Sequence, residues 1–125
     1  MILADTDVLI DYLAGVRPIA ERVAAYAETD QLQTTAISCF ELLNGAEEGK
    51  RGNRIRRLLA ILPVLPLDRN AAEHAAEVRR DLERAGRAIG MGDSLIAGIA
   101  LAHHLPLFTR NHKHFERVKN LQLLK

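Results

Sequence analysis

The chain has 125 residues, of which 48% are hydrophobic, so it can form one ordinary core but not two. Its formal net charge of +1 points to no particular class of partner, and its single cysteine, Cys39, excludes an internal disulfide and fits a reducing compartment. No secretion signal or membrane-spanning apolar run is recognisable. We therefore expect one domain, residues 1–125, located in the cytoplasm and without a membrane partner.

Short apolar runs alternate with helical patterns along the chain. Strands are predicted at residues 2–4, 33–36, 63–67 and 106–109, with a possible fifth at 121–123. Helices are predicted to begin near Val8, Pro18, Ser38, Asn70 and Asp93, another is marked by an apolar stripe from Ile55, and a polar turn is predicted at 110–114. This alternation predicts an α/β fold with a small, mainly parallel sheet of four to five strands.

Three acidic residues fall near the ends of these strands. Asp5 follows the first strand, Glu41 lies in the helix after the second, and Asp93 opens the helix before the fourth. Because the carboxyl ends of parallel strands meet at one edge of a sheet, these carboxylates are expected to converge. Converging carboxylates repel unless a cation lies between them, and all-oxygen ligation suits Mg²⁺ or Mn²⁺. The pattern therefore indicates phosphoryl-transfer chemistry.

Each acid also has a purely structural interpretation. Asp5 is well placed to cap the helix that follows it. Ser38 and Glu41 have the spacing of a capping box, and Asp93 is a suitable N-cap for an apolar helix. The spacing alone leaves both interpretations open for each residue.

Four segments together resemble the motifs of PIN-domain ribonucleases, and most closely those of VapC-type toxins from type II toxin–antitoxin systems. They span residues 2–10, 37–45, 92–97 and 107–115. The resemblance implies a three-layer α/β/α domain whose acidic pocket binds Mg²⁺ or Mn²⁺. It also implies hydrolysis of RNA, tRNA or another structured RNA, to 5′-phosphate and 3′-hydroxyl products. The implied partners are a cognate antitoxin and a second copy in a homodimer.

The same resemblance implies a role for each matching residue. Asp5, Glu41 and Asp93 would form the catalytic, metal-binding cluster, and Asn111 would complete the catalytic set. The supporting residues would be Thr6, Asp7 and Thr109. Arg110 and Lys113 are basic residues that adjoin this pocket, so they are expected to bind the RNA backbone, with a solvated surface as the alternative. Two positions depart from the family pattern, which commonly has Asn at position 7 and often an acid at position 111. His112 and His114 are expected to be solvated or to contact RNA.

Other functions fit parts of the pattern. An apolar strand followed by Asp5-Thr6-Asp7 is also the nucleophile motif of haloacid-dehalogenase-like phosphatases, although Ala97 stands where that fold could place a further acid. A phosphoacceptor receiver domain matches in length but needs a lysine after its fifth strand, where none is seen. Because Asn111 removes an acid, a catalytically weak PIN-like binding module is a third possibility.

Overall fold

The apolar segment at the start of the chain forms β1 (Ile2–Ala4), which lies between β2 (Leu32–Thr35) and β4 (Leu107–Phe108). The computed structural model describes all 125 residues. β3 (Val64–Leu65) pairs with β2 at the edge of the sheet, and the resulting order is β3-β2-β1-β4. All three pairings are parallel, so the carboxyl ends of the four strands lie along one edge.

Seven helices connect these strands and cover both faces of the sheet. They are α1 (Thr6–Leu13), α2 (Ile19–Glu28), α3 (Ala36–Asn44), α4 (Lys50–Ile61), α5 (Arg69–Arg84), α6 (Met91–His103) and α7 (His112–Phe115). None of them combines the length and apolar character needed to cross a membrane.

Alternating side chains of the strands divide the core into two halves. In β1, Ile2 and Ala4 pack with residues of α1, α2 and α4, whereas Leu3 packs with α5 and α6 on the other face. β4 repeats this division, because Leu107 joins the second cluster and Phe108 the first. One apolar core on each face of the sheet confirms the expected three-layer α/β/α arrangement.

Two helix starts differ from the sequence prediction. α3 begins at Ala36, and its N-cap is Thr35, whose hydroxyl accepts the backbone N–H of Ser38 at 3.0 Å. The predicted capping box of Ser38 and Glu41 is therefore wrong, because Thr35 supplies the cap three residues earlier. α6 begins at Met91 with Gly90 as its cap, so Asp93 lies in its first turn and is not its N-cap.

The region after β4 also differs from the prediction. The polar turn expected at 110–114 contains the short helix α7, because Asn111 accepts the backbone N–H groups of His114 and Phe115. The possible fifth strand is reduced to a single bridge between Leu107 and Leu123. The sheet therefore has four strands.

Candidate active site

Asp5 lies at the carboxyl end of β1 and is only 3% exposed. Its Oδ1 atom accepts the backbone N–H of Val8 at 3.0 Å, so the residue does cap α1. Its Oδ2 atom accepts the hydroxyl of Thr109, which follows β4. Since each carboxylate oxygen has two lone pairs, both atoms keep one free to bind a further group. Capping and ligand binding are thus compatible for this residue.

A second carboxylate is held by a contact between α1 and α3. The Thr6 hydroxyl donates to Oε1 of Glu41 at 2.7 Å and lies 2.9 Å from the hydroxyl oxygen of Ser38. The other Glu41 oxygen lies 3.5 Å from the point where Gly92 would carry a Cβ atom. Glu41 therefore projects across to the first turn of α6, next to Asp93.

Burial and mutual repulsion perturb two of these acids. The pKa of Asp5 is raised from 3.8 to about 6, chiefly by burial and further by the charges of Asp7 and Asp93, against the hydrogen bonds from Thr109 and Val8. The pKa of Asp93 is also raised, chiefly by burial and then by the charges of Asp7 and Glu41, and the imidazole of His114 partly offsets this rise.

The residues after β4 border the same cluster. Thr109 Oγ1 accepts the backbone N–H of Asn111 at 3.0 Å, which fixes the start of α7 beside Asp5. One turn further along, His114 Nδ1 lies 2.8 Å from Asn111 Nδ2 and 3.8 Å from Asp93 Oδ2. α7 thus brings an imidazole to the acidic edge of the sheet.

The two predicted RNA-binding cations are placed differently. Arg110 Nε lies 3.0 Å from Oδ2 of Asp11, a buried residue of α1, while the Arg110 side chain stays 54% exposed. Lys113 is exposed on α7 and takes part in none of the ion pairs of the structure. Arg110 is therefore held by an ion pair, whereas Lys113 is exposed to solvent without one.

Nine predicted site residues belong to this one edge, joined by contact, by electrostatic coupling or by position in α7: Asp5, Thr6, Asp7, Glu41, Asp93, Thr109, Arg110, Asn111 and Lys113. No three or more His, Cys, Asp or Glu side chains are arranged as a ready-made metal site. The acids thus share an electrostatic field without forming a closed ligand cage. Mg²⁺ commonly keeps several waters and uses one or two protein carboxylates, so this all-oxygen donor set fits such an ion.

Sequence reasoning missed three contributors. Asp11 is a charged residue at a buried position of an apolar helix, which is a signal that it has a fixed partner. Ser38 was interpreted as a cap, but its hydroxyl borders the Thr6–Glu41 contact. The sequence predicts that His114 is solvated or contacts RNA. Its contact with Asn111 was missed because the helical spacing that aligns the two residues is visible only once α7 is recognised.

One cavity of the structure lies away from this edge. It has a volume of about 510 Å³ and lies between α5, α6 and the C-terminal segment. None of the nine site residues lines it. Glu41 and Arg110 are exposed at the candidate site, which suits an extended polymer better than a small enclosed ligand.

Comparison with known proteins connects this geometry to one family. The model of the PIN domain family matches residues 2–121. Ribonuclease VapC10 of Mycobacterium tuberculosis is 34% identical over 122 residues, which cover 98% of this chain and 91% of that protein. The tRNA(fMet)-specific endonuclease VapC of Shigella flexneri is 30% identical over 124 residues, covering 96% of this chain and 93% of that protein.

Solved structures agree with this match. A chain of VapBC2 from Rickettsia felis, bound to a DNA fragment from their promoter, aligns with a TM-score of 0.84 and 25% identity, over 99% of this chain and 98% of that chain. A chain of VapBC-1 from nontypeable Haemophilus influenzae aligns with a TM-score of 0.78 and 30% identity, over 100% and 98% of the two chains. The similarity extends over nearly the whole chain in sequence and in fold.

Proposed function

Because the chain belongs to the PIN-domain family, we propose that it is a VapC-type endoribonuclease, the toxin of a toxin–antitoxin pair. The observation that carries this proposal is the coupling of Asp5, Glu41 and Asp93 at the carboxyl edge of the sheet. These residues come from three separate segments, and folding places them so that the charge of Asp93 contributes to the raised pKa of Asp5 and the charge of Glu41 to that of Asp93.

The proposed cofactor is Mg²⁺ or Mn²⁺. Asp5 and Asp93 are the proposed ligands, and Glu41 contributes directly or through water. When bound, such an ion supplies charge neutralisation for a phosphate and activation of water. The raised pKa values of Asp5 and Asp93 support this assignment, since a cation at this edge relieves the repulsion that contributes to both shifts.

The residues of the chain then have distinct tasks in hydrolysis. Glu41, oriented by the Thr6 hydroxyl, accepts a proton from the attacking water. The water oxygen bonds to phosphorus as the bond to the 3′-oxygen breaks, and the leaving 3′-oxygen takes up a proton from solvent. The products therefore carry a 5′-phosphate and a 3′-hydroxyl. The Thr109 hydroxyl holds Asp5 in place by donating to its carboxylate, and it accepts the backbone N–H of Asn111. The side chain of Asn111 is the last member of the proposed catalytic set.

RNA is the proposed substrate, with tRNA or another structured RNA as its finer class. Arg110 and Lys113 lie beside the acids and are suited to contact backbone phosphates. One relative is named a tRNA(fMet)-specific endonuclease, which supports a structured substrate. Exposed cations at this edge are suited to contact the backbone of RNA more than its bases.

The proposed protein partners are a cognate antitoxin and a second copy of the chain. Several structural neighbours are VapBC complexes, which supports the antitoxin. The homodimer is supported by apolar side chains exposed beside Glu41 on α3, namely Phe40 at 66% and Leu43 at 42%. Sedimentation of the wild-type chain and Phe40→Glu tests the dimer, because a charge there should leave a monomer.

A phosphatase with Asp5 as nucleophile is not favoured by the geometry. That reaction would call for a further metal-site acid, which the sequence pattern places at position 97. Position 97 is a buried alanine with no ligand to offer.

The test of the proposed function is digestion of total RNA by the purified chain, followed by sequencing of the fragment ends. We expect cleavage with Mn²⁺ or Mg²⁺, none with EDTA, and 5′-phosphate ends that ligate without prior kinase treatment. Fragments ending in 2′,3′-cyclic phosphate would contradict the chemistry. Absence of cleavage under all conditions would instead favour the catalytically weak binding module.

A further inference from the structure

α7 adds a nitrogen donor to a site that otherwise consists of oxygen atoms. His114 Nδ1 lies 3.8 Å from Asp93 Oδ2 and 2.8 Å from Asn111 Nδ2. The side chains of His114 and Asp93 are 45% and 32% exposed, so both are accessible from solvent. This imidazole is the only nitrogen ligand type that contacts the acidic cluster.

The contact with Asn111 defines what Nδ1 can do. An amide nitrogen can only donate, so Nδ1 accepts in this contact and carries no proton there. The 3.8 Å separation from Asp93 Oδ2 is too long for a hydrogen bond. Nδ1 has a single lone pair, and this contact directs it at Asn111, so Nδ1 can bind an ion only when the Asn111 amide turns away.

That separation matches two ligands of one metal ion. With metal–donor bonds of about 2.1 Å, neighbouring ligands of an octahedral ion lie about 3.0 Å apart and opposite ligands about 4.2 Å apart. The observed 3.8 Å lies between these limits. Both donors can reach one ion once the Asn111 amide releases Nδ1 and the imidazole ring turns toward Asp93.

We propose that His114 Nδ1 is a ligand of the divalent ion, together with Asp93, and that it shifts the preference of the site from Mg²⁺ toward Mn²⁺. This inference rests on the proposed function, because it concerns the same metal site. Mg²⁺ strongly prefers oxygen ligands, whereas transition-metal ions accept imidazole nitrogen. His114 thus supplies a donor next to Asn111, the position where the resemblance leads one to expect an acid.

The direct test is pulsed electron paramagnetic resonance of Mn²⁺ bound to the purified chain, without RNA. We expect ¹⁴N modulation of the Mn²⁺ signal from a coordinated imidazole. The modulation should be lost in His114→Gln and retained in His112→Gln, a matched control on the same helix. Persistence of the modulation in His114→Gln, or its absence from wild-type protein that binds Mn²⁺, would overturn the inference.

A second measurement keeps the inference separate from the proposed function. Calorimetric titration should show that His114→Asp lowers the ratio of Mn²⁺ to Mg²⁺ affinity by about tenfold or more. An unchanged ratio would overturn the role of His114 alone. If the wild-type protein binds no Mn²⁺, both the inference about His114 and the metal site of the proposed function are wrong. If Mn²⁺ binding is lost in Asp93→Asn but unchanged in the His114 variants, only the inference about His114 is wrong.

Discussion

The guanidinium of Arg110 is held by Asp11, with 3.0 Å between Arg110 Nε and Asp11 Oδ2. Asp11 is buried in α1, whereas Arg110 remains 54% exposed just after β4. An arginine fixed at one end and open to solvent at the other is prepared to contact a phosphate without losing much side-chain entropy. This pair therefore links the fold to the proposed binding of RNA.

We expect Arg110→Gln to weaken RNA binding and to reduce the slope of log affinity against log salt concentration by about one. Arg17→Gln is a matched control, since Arg17 is also paired with a carboxylate, that of Glu21, at 2.5 Å. Filter-binding titrations at several salt concentrations measure both. An unchanged salt slope in Arg110→Gln would exclude a phosphate contact.

The raised pKa of Asp5 predicts a pH-dependent effect on stability. Between 3.8 and about 6 the folded chain keeps a proton on Asp5 that the unfolded chain has lost. Folding stability therefore falls as the pH rises through this window, by at most about 3 kcal/mol. Asn can accept the Val8 N–H through its oxygen and donate from its amide nitrogen to Thr109 Oγ1. Asp5→Asn should therefore be more stable than wild type above pH about 6 in the absence of divalent ions, with no difference below 3.8.

Thermal unfolding of the two proteins across this pH range, with chelator present, measures the effect. Added Mn²⁺ should then stabilise wild type and not Asp5→Asn, because only a folded site that binds the ion gains from it. A constant difference between the two proteins from acid to neutral pH would show that the burial of Asp5 has no cost.

The contact between Thr6 and Glu41 predicts a positioning role for the hydroxyl. Thr6→Val keeps the shape of the side chain but removes the 2.7 Å hydrogen bond to the Glu41 carboxylate. We expect kcat for RNA cleavage to fall by about tenfold, with KM nearly unchanged and activity restored in Thr6→Ser. Thr29→Val, which removes a hydroxyl bonded to a helix carbonyl, is the control. A loss confined to KM would argue against this role.

The core of the fold was predictable from the sequence because its signal is local. The apolar runs at β1 and β4 and the stripe of α5 each follow from hydrophobic periodicity. The capping residue of α3 was not predictable in the same way. Thr35 and Ser38 are both good caps, and only the end of β2 at Thr35 decides between them.

The candidate site likewise has one part that could be predicted from the sequence and one part that could not. Parallel strands require Asp5 and Thr109 to meet at one edge, so this part followed from topology. The contacts of Arg110 with Asp11 and of Asp93 with His114 could not be predicted in this way. They depend on the relative placement of helices, which no local pattern specifies. α7 has only four residues and gives too weak a periodic signal to be recognised beforehand.

Gly98 predicts how closely α5 and α6 can approach. A Cβ atom at this position would lie 2.6 Å from both the carbonyl oxygen of Ala71 and the Cβ of Ala75. Gly98→Ala should therefore destabilise the chain by about 1–3 kcal/mol through overpacking. Gly45→Ala is the control, because its nearest contacts would be at 3.8 Å. Urea denaturation compares them, and equal stability of the two variants would mean that the helices can move apart without cost.

The most direct test of the proposed nuclease is the Mn²⁺-dependent rate of RNA cleavage by Asp93→Asn relative to wild type. Asp68→Asn serves as control, since Asp68 caps α5 and Asn can preserve that cap. We predict that Asp93→Asn loses metal-dependent cleavage while remaining folded, and that Asp68→Asn cleaves at the wild-type rate. Cleavage by folded Asp93→Asn at the wild-type rate would contradict the proposal that Asp5, Glu41 and Asp93 act as one metal-binding site.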